Sequence, residues 1–269
     1  MMYRAITHCS WTMESDFVYH RQIEIFIDQV PKEPKGDVIR IIILNEPHYI
    51  EPIMLWLDEF EDEYDYVFTY YEPLLQENNR AVKFLGVQTW IRDYEFPEKE
   101  FSASTLVSGK LKKGLDGHSL RHHLWGRRNE IVTPKKFFLS SFDRHKGCDY
   151  SQNLILGKKK DPLFDSMFHV AIENTRMKNM FTEKIVDCFQ TKTIPIYWGA
   201  PDIGEYFNPK GVLIANSVDG IIDICNRLTP EVYHDLHQAI EDNYNRSMDY
   251  LDFNKNLDET IKKTLSNGV

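Results

Sequence analysis

The sequence predicts an α/β protein made of two Rossmann-like domains, and three observations carry that expectation. Val38 to Leu44, VIRIIIL, is a nearly continuous apolar run, the pattern of a strand buried on both faces of a parallel sheet. Residues 168–199 read as strand, polar loop, helix and strand, the βαβ unit from which parallel sheets are built. A chain of 269 residues can bury a sizeable core and suits two modest domains better than one.

In chain order, Ile23 to Val30 and Val38 to Leu44 are apolar runs divided by PKEPKG, a turn-rich break. The second run ends in Asn45-Glu46-Pro47, which sets a carboxylate at the carboxyl end of the strand. Ile50 to Phe60 reads as a helix, Tyr66 to Thr69 as a strand and Pro73 to Gln76 as a short helix. Ala81 to Leu85 and a crossing segment, Gly86 to Ile91, complete a first domain over 1–95. The acidic run Asp58 to Asp65, DEFEDEYD, contains Asp-x-Glu patterns that a metal site could use. No convergent ligand stands elsewhere, so the run is read as solvated charge and no metal is expected.

Arg92 to Lys99 is polar, holds a proline and reads as the interdomain linker. The second domain, over 100–235, opens with the β-rich run Phe101 to Val107. The basic, glycine-containing loop SGKLKKGLDG and the helix His118 to Arg128 follow. Strand, loop and helix in that order can cradle a phosphate, although no P-loop or dinucleotide fingerprint is present. A basic surface helix is the alternative. His118, His122 and His123 lack a fourth ligand for zinc. Ile131 to Ser141 supplies a further strand, and Phe142 to Lys160 is polar without periodicity.

Phe168 to Ile172 is a short buried strand, after which Glu173-Asn174-Thr175 opens a polar loop. Thr182 has the chemistry of a helix N-cap, with Glu183 in the first turn. Ile185 and Phe189 share a helix face, and Thr193 to Trp198 is the next strand. Ligands of such sheets sit at the carboxyl ends of strands, against helix N-termini. Glu173, Asn174, Thr182, Glu183 and Lys184 all map to that edge, where a solvated loop and a capped surface helix are the plainer reading. Gly211 to Ala215 is a strand and Ser217 to Leu228 an amphipathic helix. Pro230 to Tyr250 reads as one long helix capped by Thr229, and the C-terminal helices of 236–269 could return to the first domain.

Hydrophobic residues at 42% and aromatics at 13% describe an ordinary globular chain. A net charge of −9 argues against nucleic acid as a partner, since phosphate backbones require a basic face. Cys9, Cys148, Cys188 and Cys225 are widely spaced without a C-x-x-C pair, which favours buried free thiols over disulfides or zinc. No apolar run reaches the length of a membrane span, and the N-terminus has no secretory h-region. A reducing cytoplasm is the expected compartment.

The blocks ENT (173–175), FTEKIVDCFQTKTIPIYWGAP (181–201) and FNPK (207–210) fall in order and resemble the donor-binding signature of the α-1,3-fucosyltransferases, most closely the bacterial members. The match covers residues 168–215. The resemblance implies a GT-B-like fold in which two Rossmann-like domains face a cleft, with the nucleotide-sugar donor on the C-terminal domain and a glycan acceptor on the other. It implies inverting transfer of L-fucose from GDP-fucose to a glycan hydroxyl, without metal or other cofactor. The donor-binding residues it implies are Arg121, Glu173, Asn174, Phe181, Thr182, Glu183, Lys184 and Tyr197. Within that set Lys184 and Arg121 clamp the diphosphate and Glu183 accepts ribose or sugar hydroxyls. Phe181 stands where the family often has tyrosine. Glu46 matches the catalytic base by position, in Asn-Glu-Pro where the bacterial enzymes have Gly-Glu-Asn; a strand-end carboxylate bonded to a neighbouring loop is the plainer reading, and Glu72 and Asp93 are alternative bases. The same scaffold with a UDP-sugar donor and a non-catalytic nucleotide-sugar or glycan-binding module are the competing readings. Many eukaryotic relatives carry a stem and an anchor, and their absence here suggests a bacterial-like or viral form.

Overall fold

The computed structural model describes residues 3–4, 6–8, 18–141 and 153–267. It comprises two compact units: Met1–Gly86 with Lys178–Met180 and Asp252–Val269, and Val87–Met177 with Phe181–Leu251.

The strands of the first unit are β1 (Tyr3–Arg4), β2 (Ile6–His8), β3 (Val18–Tyr19), β4 (Ile23–Ile27), β5 (Ile39–Leu44), β6 (Tyr66–Thr69) and β7 (Ala81–Lys83). Its first helices are α1 (Ile50–Glu59) and α2 (Glu72–Glu77). β1 and β3 pair antiparallel, while β2-β4-β5-β6-β7 form an all-parallel sheet. Every residue of β5 is buried, as its isoleucine run predicts. Because strand side chains alternate, Ile42 and Leu44 pack with Ile53 and Leu57 of α1, whereas Ile39, Ile41 and Ile43 line the opposite face. Each isoleucine fully withdrawn from water contributes about 1.5–3 kcal/mol.

Arg40 is the one charged residue in β5, and it is buried. Its guanidinium pairs with Glu24 at 2.9 Å and Glu63 at 3.0 Å, and Asp65 accepts its backbone N–H at 2.8 Å. Asp65 also pairs with Lys35 at 2.7 Å. Glu63 and Asp65 therefore neutralise buried or half-buried cations at the amino end of β5, which corrects the solvated-charge reading for these two, while Asp58, Glu59, Glu61 and Asp62 are exposed. Among the described residues no group of three or more His, Cys, Asp or Glu is placed to hold a metal ion.

The second unit holds β8 (Glu100–Val107), β9 (Lys135–Ser140), β10 (Leu154–Leu156), β11 (Ser166–Ile172), β12 (Ile194–Trp198) and β13 (Leu213–Ile214). Its helices are α3 (Asp116–Gly126), α4 (Glu183–Gln190), α5 (Val218–Cys225), α6 (Pro230–Asp235) and α7 (His237–Ser247). The sheet order is β10-β9-β8-β11-β12-β13, and every pairing is parallel. β11 is buried along its whole length, and Val170 and Ile172 meet Ile194, Ile196 and Trp198 in one core. Cys188 and Cys225 are buried free thiols, whereas Cys9 and Cys148 lie outside the described residues. Residues 92–99 belong to this unit, where the Tyr94 hydroxyl donates to the Phe164 carbonyl at 2.8 Å and Lys99 Nζ to Thr193 Oγ1 at 2.9 Å.

The long helix expected over Pro230 to Tyr250 is instead α6, a break at Leu236, α7 and a single 3-10 turn at Met248–Tyr250. Leu236 leaves the helical region at φ −91°, ψ 6°. The break satisfies two anchors: Leu236 packs against the core, and the Tyr233 hydroxyl donates to the Lys192 carbonyl at 2.9 Å. Helix propensity, worth tenths of a kcal/mol per residue, yields to that packing. The last helix, α8 (Phe253–Asn267), belongs to the first unit, where Phe253, Leu257 and Ile261 cover the Ile39-Ile41-Ile43 face of β5.

Candidate functional site

The β11–α4–β12 unit builds the site, and Glu173 sits at its centre. β11 ends at Ile172, and the Glu173 N–H extends the ladder by one bond to the Trp198 carbonyl at 2.9 Å. The Glu173 side chain is wholly buried. Its two carboxylate oxygens accept from the Thr182 N–H at 2.9 Å and the Thr182 hydroxyl at 2.7 Å. Lys184 Nζ stands 3.5 Å away. Thr182 in turn caps α4, its hydroxyl oxygen accepting the Lys184 N–H at 3.4 Å and Lys184 Nζ at 2.9 Å. Glu173 thus fixes the loop to the helix N-terminus, which is what a buried carboxylate must do to recover its lost hydration.

Around this hinge stand three cations. Lys184 Nζ lies 3.3 Å and Lys160 Nζ 3.4 Å from the same Glu183 oxygen. Burial opposes the charge on Glu183, but Lys184 and Lys160 overcome it and hold the carboxyl down to about 2. Lys184 is raised in turn: burial works against it, and Glu183 and then Glu173 outweigh that penalty. Arg121, on α3, donates through Nε to the Ile172 carbonyl at 3.2 Å and through Nη2 to Asn174 Oδ1 at 3.0 Å. Burial pulls its guanidinium down from its ordinary value, against the charges of Glu173 and Glu183. Lys184, Lys160, Glu183 and Arg121 therefore form one electrostatic group at the carboxyl edge of β11.

Two glycines permit the close approach. Gly117 opens α3 with its N–H donating to the Asn174 carbonyl at 3.0 Å, and a Cβ there would overlap the Glu173 carbonyl. At Gly199 a Cβ would fall 2.6 Å from Glu173 Cγ and against the Tyr197 hydroxyl. Burial, and next Arg121, lower the neighbouring His118 to about 4, so its imidazole is neutral at physiological pH, and its Nδ1 accepts the Lys112 N–H at 3.2 Å.

The structure thus brings Arg121, Glu173, Asn174, Thr182, Glu183 and Lys184 together. Phe181 and Tyr197 are core residues. Phe181 packs edge-on against Phe207 and Tyr250, with ring centroids at 5.4 and 5.2 Å. Tyr197 is wholly buried, and its hydroxyl oxygen accepts the Ala200 N–H at 3.0 Å, holding the turn after β12. Sequence reasoning missed Lys160 and Asp187. Asp187 is buried on α4, accepts from the Thr89 hydroxyl and the Trp90 N–H at 2.8 Å each, and has Lys160 at 3.6 Å. Burial pushes its carboxyl up to about 6 despite Lys160. Glu46 belongs to the first unit, directly after β5. Its carboxylate is 40% exposed and lies 3.8 Å from His48 Nδ1.

Each unit holds a parallel sheet with flanking helices, and the fold is the α/β, GT-B-like one of the solved glycosyltransferases it resembles. No protein-family model matches the chain. A segment of 52 residues is 44% identical to the alpha-(1,3)-fucosyltransferase FucT of Helicobacter pylori, covering 19% of this chain and 11% of that enzyme. The fold is similar to that of an α1,3-fucosyltransferase crystallised with GDP-fucose, at a TM-score of 0.57 and 20% identity over 92% of this chain and 78% of that one. The corresponding GDP complex gives 0.55 and 19% over the same shares. S. aureus TarM, in a complex containing UDP, reaches 0.50 at 11% identity over 89% of this chain and 55% of that one. Among the described residues no helix is long and apolar enough to cross a membrane.

Proposed function

We propose that the protein is an inverting glycosyltransferase that moves L-fucose from GDP-fucose to a hydroxyl of a glycan. The observation that carries this reading is the electrostatic group at the N-terminus of α4, set in a segment that resembles the fucosyltransferase signature. A nucleoside diphosphate leaving group needs its developing charge neutralised, and a lysine, an arginine and a helix N-terminus supply that in a half-buried site. Lys184 meets the diphosphate, and Arg121 shapes the wall on which it rests. Glu183, held ionised, accepts hydrogen bonds from ribose or sugar hydroxyls. In the transfer the acceptor oxygen bonds to the anomeric carbon as its proton passes to the Glu46 carboxylate. The bond from that carbon to the β-phosphate oxygen breaks, and its electrons leave with GDP.

A thermal-shift panel of GDP, UDP, GDP-fucose and UDP-sugars tests the donor. A ligand bound by the native state alone raises the unfolding temperature by mass action, so GDP and GDP-fucose are expected to stabilise and the uridine compounds not. Stabilisation by UDP and not GDP would assign another donor to the same scaffold. Stabilisation by GDP-fucose without any transfer to glycan acceptors would leave a binding module.

Replacing Lys184 with alanine is expected to weaken GDP binding by about 1.5–3 kcal/mol, roughly 10–150-fold, the cost of one charge-assisted hydrogen bond. Calorimetric titration reads this directly. The fold should persist, because Glu173 keeps both bonds to Thr182 and Glu183 keeps Lys160. Binding of GDP by the variant at the parental constant would remove Lys184 from the site.

A further inference from the structure

Glu46 is attached to the sheet in an unusual way. Beside β5 lies β4, which is followed directly by Asp28, whose backbone is in the left-handed region at φ +54°. Only glycine, asparagine and aspartate enter that region readily, and even aspartate does so at a cost. From there one side-chain oxygen, Asp28 Oδ1, accepts two consecutive backbone N–H groups, Asn45 at 2.8 Å and Glu46 at 2.9 Å. The other oxygen, Oδ2, is buried and has no hydrogen-bond partner. Burial, and to a lesser degree the Glu46 charge, push this carboxyl up to about 6 against the two amides. The Glu46 carbonyl is held as well, accepting the Tyr49 N–H at 3.0 Å across a 3-10 turn begun by Pro47. On the far side Gly86, at φ +64°, leaves room for the Asn45 amide that a Cβ would displace.

Asp28 therefore carries backbone strain and one orphaned buried oxygen while its other oxygen fixes one dipeptide. Strain and unpaired buried polar atoms of this kind call for a function. We propose that Asp28 is the positioning residue of Glu46: its double acceptance of the Asn45 and Glu46 amides sets the backbone from which the Glu46 carboxylate is presented at the end of β5. The proposal rests on Glu46 as the base. An error of about 1 Å in such a group costs on the order of 10²-fold in rate. The bonds are made by an oxygen acceptor, so an amide in place of the carboxylate can make them too.

The test uses Asp28→Gly and Asp28→Asn, each alone and combined with Glu46→Gln, in the full chain. Glycine accepts the positive φ and deletes the acceptor, while asparagine accepts the φ and keeps an oxygen. Asp28→Gly is expected to lower kcat about 10–100-fold, with donor KM and GDP affinity within about twofold of the parent. Asp28→Asn is expected to retain at least about a third of kcat, because its Oδ1 restores both bonds. In the Glu46→Gln background the glycine substitution should cost less than about a further twofold, since the base it orients is gone. Should the glycine variant not fold, Asp28→Ser, whose hydroxyl oxygen sits one bond nearer the backbone than Asp28 Oδ1, takes its place with the same expected loss. Undiminished kcat in the deletion variant overturns the proposal, as does an asparagine variant as slow as the deletion. Full additivity with Glu46→Gln overturns it too. Parental turnover in Glu46→Gln alone would instead remove the base, a result read separately from all of these.

Discussion

Glu46→Gln is expected to lower turnover by roughly 10²–10⁴-fold at saturating donor and acceptor, with GDP affinity nearly unchanged. Glutamine fills the same volume and keeps the backbone bonds of the Asn45-Glu46 turn to Asp28 and Tyr49, so the change removes only a proton acceptor. Inversion requires such an acceptor on the acceptor side as the glycosidic bond forms. The Glu46 carboxylate is 40% exposed, and a proton acceptor must be reachable by substrate. The residues assigned to the donor belong to the second unit, Glu46 to the first, which is why donor affinity and kcat should separate. Steady-state kinetics with GDP titrated in parallel measures both. A variant that keeps a third of parental turnover would dismiss Glu46 as the base.

How much of this could be read from the sequence depended on whether a residue's partner lay nearby in the chain. The β5 run was legible because a short, isoleucine-rich run bounded by turn residues favours a strand covered on both faces. Thr182 as cap, Glu183 in the first turn and the parallel pairing of β11 with β12 were equally local signals. Lys160 was not legible: it reaches Glu183 and Asp187 from a stretch without periodicity, over 23 and 27 residues of sequence. Asp187 carried no sequence signal either: it is buried and accepts from Thr89 and Trp90, almost a hundred residues earlier. Glu63 and Asp65 were masked by their acidic neighbours, and the buried Arg40 and the half-buried Lys35 distinguish them. Gly117 and Gly199 lay within the glycine-containing loop and the signature block, but what they permit, the close approach of Glu173, was not written there. Local chemistry is written locally, and the long-range partner is supplied by the sheet.

Arg121→Ala carries the second large expectation, and here geometry changes what the family signature alone implied. A clamp residue at the rim could be removed without harm to the fold. Arg121 instead spends its donors on the Ile172 carbonyl and Asn174 Oδ1, the two groups that end β11 and begin the loop. Its guanidinium is also the countercharge near both Glu173 and Glu183. Alanine would leave a half-buried carbonyl and amide without their donor and the acidic pair under-compensated. The expected loss is about 2–4 kcal/mol of stability, together with a drop in GDP affinity of at least about tenfold. Lysine should restore the charge but not the fork that spans two acceptors, so Arg121→Lys is expected to recover affinity only in part and stability little. Urea denaturation followed by GDP calorimetry on the folded fraction separates the two effects. Parental stability in Arg121→Ala would return the residue to a rim position, and parental GDP affinity would limit it to holding the end of β11.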